Sequence, residues 1–257
     1  MARIFKNGSR FLVLALPMLL TCATSVNAQT RVLAIGGNFG NQAADQLFQT
    51  GDLSGTITRD DGTIFNALTP DQLRTNYDVI LETWRGPTSN QDDFTTRLLP
   101  FLQKGGGIVF EDNNNVFQLD PAVTESSSHT GGVHFTTTVA GLTNGVLPDQ
   151  FASPHFGLSS WSADFTPFMS DRNGTVTGVY GTFAGGGHMV ITGSDQDYHS
   201  KKGGTGSHGN GYLFLKNEIN WASNGKAAVT PEGSSLAMLT LGVLPLAFGL
   251  RRKLRRA

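Results

Sequence analysis

The sequence predicts an α/β domain built on a mostly parallel sheet, with a loop- and β-rich insertion. Three observations carry this. Short apolar runs ending in glycine or a polar turn recur at "RVLAIGG", "YDVILE" and "GGIVF", as buried strands do. Segments with helical spacing alternate with them, chiefly "NQAADQLFQTG" and "NQDDFTTRLLPFLQKGGG", and this alternation favours parallel pairing through crossovers. From Val116 to about Gly187 the alternation gives way to Ser, Thr, Gly and Asn with short apolar patches, so an insertion of loops and short strands is expected over one edge of the sheet.

The elements follow in order. "RVLAIGG" is the first strand, and the helix after it places Ala43, Leu47 and Phe48 on one side before Gly51 stops it. "SGTITRDDG" reads as a short second strand. A helical turn capped near Thr69-Pro70 precedes a third strand from Tyr77 to Thr83. Phe94, Leu98, Phe101 and Leu102 give the next helix its inward face, and "GGIVFEDN" is the fourth strand. After the insertion, "GGGHMVITGSD" is a glycine turn and strand, and "GYLFLKNEINWAS" a closing amphipathic helix with Leu213, Phe214, Ile219 and Trp221 as its apolar contacts.

Composition and the two ends bound the function. Arg3, Lys6 and Arg10, the apolar "FLVLALPMLL" and the small-residue "VNA" ending at Ala28 read as a secretory signal peptide over 1–28. The sole cysteine, Cys22, lies within it, so the exported chain is expected to carry no disulfide and no thiol nucleophile. Residues 29–231 hold 11 Lys and Arg against 19 Asp and Glu. An acidic domain over 29–224 without a basic stripe excludes nucleic acid as a partner. Residues 225–257 are a linker and tail. Ser234 to Leu250 is uncharged and leucine-rich, a length marginal for a bilayer-spanning helix, and five basic residues follow between Arg251 and Arg256. Such a basic cluster holds its end on the cytoplasmic side. An exported, membrane-anchored protein of the cell envelope is expected.

The stretch "TPEGSSLAMLTLGVLPLAFGLRRKLRR" resembles the PEP-CTERM class of bacterial C-terminal sorting domains, with Gly233 where that class usually has a second proline. The resemblance implies processing near Pro231 and Glu232 by an exosortase-type sorting enzyme, and an association with surface or extracellular polysaccharide. The body, through "YDVILE", "FLQKGGGIVF", "GHMVITGSDQDYH" and "FLKNEINWA", resembles the class I glutamine-amidotransferase-like fold and its ThuA-like relatives. That implies a flavodoxin-like three-layer sandwich.

The chemistry is less legible. The amidotransferase resemblance would place a nucleophile at a sharp turn after "GGIVF", activated by a histidine and facing backbone N–H donors. Glu111, Asp112 and Asn113 stand there instead, with no Cys or Ser elbow. The carboxyl end of a strand is where open α/β sheets bind ligands, so these three residues are candidates for hydrogen-bonding a sugar or coordinating a calcium ion, with Trp84 after the third strand lining the same cleft. A self-bonded polar turn is the alternative. Asp195, Asp197, His199 and His208 in "GSDQDYHSKKGGTGSHGNG" are candidate ligands for a divalent metal, or else an ordinary braced turn. No cofactor is otherwise expected. The glycines of that stretch lack the Gly-Lys-Ser/Thr ending of a phosphate loop. His129 and His134 form a weaker metal pair. The preferred expectation is a non-catalytic ligand-binding domain; the alternatives are a hydrolase or carbohydrate-active enzyme using Glu111, Asp195 and His199, and an adhesive surface protein.

Overall fold

Side chains alternate between the two faces along each buried strand, and that alternation fixes where the helices go. The computed structural model describes residues 29–36, 42–83, 94–111, 123–126, 132–147 and 156–224. Five parallel strands form its centre: β1 (Thr30–Ile35), β2 (Gly55–Asp60), β3 (Val79–Glu82), β4 (Gly107–Glu111) and β10 (His188–Thr192). Their order is β2-β1-β3-β4-β10, the flavodoxin-like order. Val32 pairs with Val79 and Val109 with Val190, so these residues share one face. Leu33, Ile80, Ile108 and Ile191 share the other.

The first face is covered by α1 (Ala43–Gln49) and the long last helix, α6 (Ser207–Ala222). Ala43, Ala44 and Leu47 from the one and Phe214, Leu215, Ile219 and Ala222 from the other pack on it. The second face is covered by α2 (Thr63–Ala67), α3 (Pro70–Asn76) and a π-helical turn (Phe94–Leu98) that runs into α4 (Leu99–Gln103). Phe65, Leu73, Leu98, Phe101 and Leu102 fill that side. Helices on both faces of a parallel sheet make the three-layer sandwich. Thr69 and Gln72 cap α3 reciprocally, with Pro70 opening the helix.

The insertion continues the sheet. β9 (Val176–Thr182) runs antiparallel to β10, β8 (Phe165–Asp171) pairs with β9, and β6 (Val133–Phe135) pairs with β8. β7 (Gly157–Trp161) meets β9 at Leu158 and Val176 and carries β5 (Val123–Ser126). Where a layer over one edge was expected, the extra strands extend that edge by antiparallel pairing. A last short helix, α5 (Gln196–His199), sits between β10 and α6. Among the described residues no helix is long and apolar enough to cross a membrane. The segments 1–28 and 225–257, with Ala28, Pro231, Glu232 and the apolar run 234–250, lie outside the described residues, as do Trp84, Asp112, Asn113 and His129.

Candidate functional site

The parallel strands end together at Ile35, Asp60, Glu82, Glu111 and Thr192, and Gly36 follows the first of them. Gly36 takes a φ of +151°, and a Cβ there would run into the Thr83 hydroxyl. Only glycine lets the ends of β1 and β3 approach so closely. Beside it opens a pocket of about 310 Å³ lined by Gly36, Arg59, Asp60, Asp61, Thr63 and Ile64.

Each polar group of the pocket has a defined occupation. Asp60 accepts from the backbone N–H groups of Ile64 (2.9 Å) and Phe65 (2.8 Å), which fastens α2 to the end of β2. Asp61 is exposed and accepts from Thr63 N–H at 3.0 Å. Its hydrogen bonds to Thr63 hold the carboxyl below the usual carboxylate range. The Arg59 guanidinium is gripped from two sides. It donates to Asp197 through Nη1 (2.7 Å) and Nη2 (3.2 Å), and to Asp45 through Nε (3.2 Å) and Nη2 (3.1 Å). Burial alone would lower the Arg59 pKa; the carboxylates of Asp197 and Asp45 outweigh it and raise it. An arginine so occupied has little left for an incoming anion, because one N–H of its five remains uncommitted.

Behind Arg59 the network runs into the core. Asp197, 2% exposed, also accepts from Ala44 N–H at 2.8 Å at the start of α1. Its own N–H donates to Glu111 Oε2 at 2.8 Å. Glu111 ends β4 with no exposed surface, and Glu218 on α6 is equally buried beside it. Burial is the largest influence on Glu111, followed by the like charges of Glu218, Asp195 and Asp197, and all push its carboxyl well above the usual value. Burial pushes Glu218 up to about 8. Both shifts favour the protonated form of the pair.

The residues picked from the sequence are distributed unevenly over this network. Glu111, Asp195 and Asp197 come together. Asp195, 1% exposed, caps α5 by accepting from Tyr198 N–H at 2.9 Å. His199 lies at the other end of that turn, half-buried and edge-on to Tyr198. Its carbonyl accepts from His208 Nδ1, which is exposed. Asp195, Asp197, His199 and His208 thus brace a turn, and among the described residues no group of three or more His, Cys, Asp or Glu is arranged to hold a metal ion. His134 meets the Ser170 hydroxyl at 3.2 Å across β6 and β8, away from the pocket. Sequence reasoning misses Arg59, Asp45 and Glu218. Glu218 had a signal: a carboxylate among Phe214, Leu215, Ile219 and Ala222 at helical spacing, on the face that packs against the sheet.

No family model matches the chain, and no curated protein matches it. Solved structures do resemble it. A cytoplasmic protein of Salmonella typhimurium LT2 aligns at 14% identity with a TM-score of 0.51, covering 75% of this chain and 99% of the other. A Thermoplasma acidophilum protein assigned to GMP synthase aligns at 12% identity and TM-score 0.50, covering 76% and 95%. A glutamine amidotransferase from Thermotoga maritima aligns more loosely, at 11% identity and TM-score 0.43 over 66% and 77%. At such identities the likeness speaks for the fold alone, and fold does not fix function.

Proposed function

We propose that this chain is an exported, envelope-sorted protein whose α/β domain binds a neutral, hydroxyl-rich ligand at the pocket beside Arg59 without transforming it. The observation that carries the binding reading is the pocket's charge. Among the described residues that line it, the one cation is cancelled by Asp45 and Asp197, while Asp60 and Asp61 leave the rim negative. Carboxylate or phosphate ligands meet repulsion there, whereas sugar hydroxyls find acceptors. The place is also where open α/β sheets take ligands. The hydrolase alternative needs its carboxyls to touch a substrate, and Glu111 is fully buried with its neighbours committed to backbone and guanidinium. Delivery rests on the signal-like residues 1–28 and the PEP-CTERM-like tail, which supports an exosortase-type enzyme, the membrane and extracellular polysaccharide as partners.

A glycan array probed with the purified protein tests the binding. Neutral saccharides are expected to be retained and uronic-acid or phosphorylated ones rejected. The Asp61→Ala variant removes an exposed rim carboxylate and is expected to weaken retention about tenfold, as loss of about 1.4 kcal/mol would, while the cooperative thermal transition is kept with a slightly lower midpoint, since the bond to Thr63 N–H is lost. Preference for anionic glycans would overturn the reading.

A further inference from the structure

We propose that Glu111 and Glu218 form a proton-dependent latch: one proton held between them fastens α6 and the Asp195–His199 turn to the carboxyl end of β4, and its loss loosens both. The geometry requires some such device. Two carboxyl groups, on β4 and α6, are both without exposed surface and lie within interaction reach of each other. Glu111 Oε1 and both oxygens of Glu218 find no donor among the other described groups. Two buried carboxylates side by side repel, and neither can be hydrated. A single proton shared between them removes the repulsion and supplies the missing hydrogen bond, as in other close carboxyl pairs.

The surrounding charges do not relieve the pair. From α5, Asp195 and Asp197 add negative charge. From α1, Asp45 faces Arg59. From β2, Arg59 is the network's cation, and its hydrogen bonds go to Asp45 and Asp197. Glu82 closes β3 on the opposite face of the sheet, as the alternation of Leu81 and Glu82 dictates. The latch lies close to the pocket: Glu111 Oε2 takes the N–H of Asp197, whose carboxylate holds Arg59.

The direction of the pH effect follows from linkage. With its folded pKa raised to about 8 against an ordinary 4.5, Glu218 contributes stability that is fully present below the unfolded value. It is lost as pH rises through that window to about 8, because the folded state there holds a proton that the unfolded state has released.

Thermal unfolding of the full chain across the range from pH ~5 to pH ~9 reads this out, independently of any ligand. The midpoint is expected to fall by at least about 5 °C for the native chain, and by less than half as much for Glu218→Gln, whose amide donates the hydrogen bond without a titrating proton. A Glu218→Gln variant that follows the native pH profile overturns the latch. Should that variant not fold, Glu111→Gln keeps the acceptor for Asp197 N–H and makes the same comparison. Infrared spectra of the native protein at neutral pH are expected to contain a protonated-carboxyl stretch that disappears above pH ~9; its absence overturns the proposal outright.

Discussion

Arg59 is gripped by two carboxylates while only 19% of its side chain is exposed, and Asp197 behind it is 2% exposed. Exposed ion pairs contribute little, but a buried carboxylate stripped of its partner cannot regain its hydration. Replacing Arg59 by Met keeps the volume and removes the charge. The variant is expected to lose about 3 kcal/mol in urea unfolding, whereas a loss below about 1 kcal/mol would mean that water reaches Asp197 and the pair behaves as a surface one. Residue types announce part of this site. Asp195 and Asp197 beside a strand end, and Glu111 where a nucleophile would sit in an amidotransferase, are visible as candidates. Their roles are not visible, because a capping carboxylate and a ligating one look alike in a row of letters. Arg59 is hidden for another reason: its two partners lie 14 and 138 positions away, and only the sheet order brings them together.

At the scale of elements, α6 is the piece on which the last third of the chain depends. The closing helix expected from Gly211 begins earlier, at Ser207, and so includes Gly209 as well as Gly211. Packing supplies the reason: a Cβ at Gly211 would collide with Gln196 Oε1 and Ser200 Oγ, so the glycine lets α6 lie against α5. Gly211→Ala is a fair discriminator. Intrinsic propensity alone would gain up to about 1 kcal/mol, while the clash costs about 1–3 kcal/mol. The thermal midpoint of Gly211→Ala is expected to drop; a rise would show that α5 is free to move aside. The strands and helices of the parallel core are legible because each carries a buried face of its own. The insertion is legible only as β-rich. Its strands gain their meaning from pairing with β10, as Val190 with Tyr180 shows, and a period-two pattern does not name its partner.

At the scale of the molecule, the described fold closes on itself at α6. Phe214, Leu215, Ile219 and Ala222 complete the face begun by α1, and Ala222 lies so close to Gly107 that a Cβ there would meet its carbonyl. Asn224 then donates to the Gly186 carbonyl at 2.8 Å, tying the end of the helix to the β9–β10 turn. The hydrophobic core of the described residues therefore runs to the end of α6, with Asn224 fastening that end. A chain ending at Asn224 is expected to keep the full-length thermal midpoint within about 2 °C. One ending before Ser207 would bare the apolar face of β1, β3, β4 and β10, since removing the cover from a sheet face exposes it to water at once. That shorter chain is expected to bind a hydrophobic dye and to lose its cooperative transition. If it unfolded cooperatively instead, α1 would suffice to cover that face of the sheet without α6.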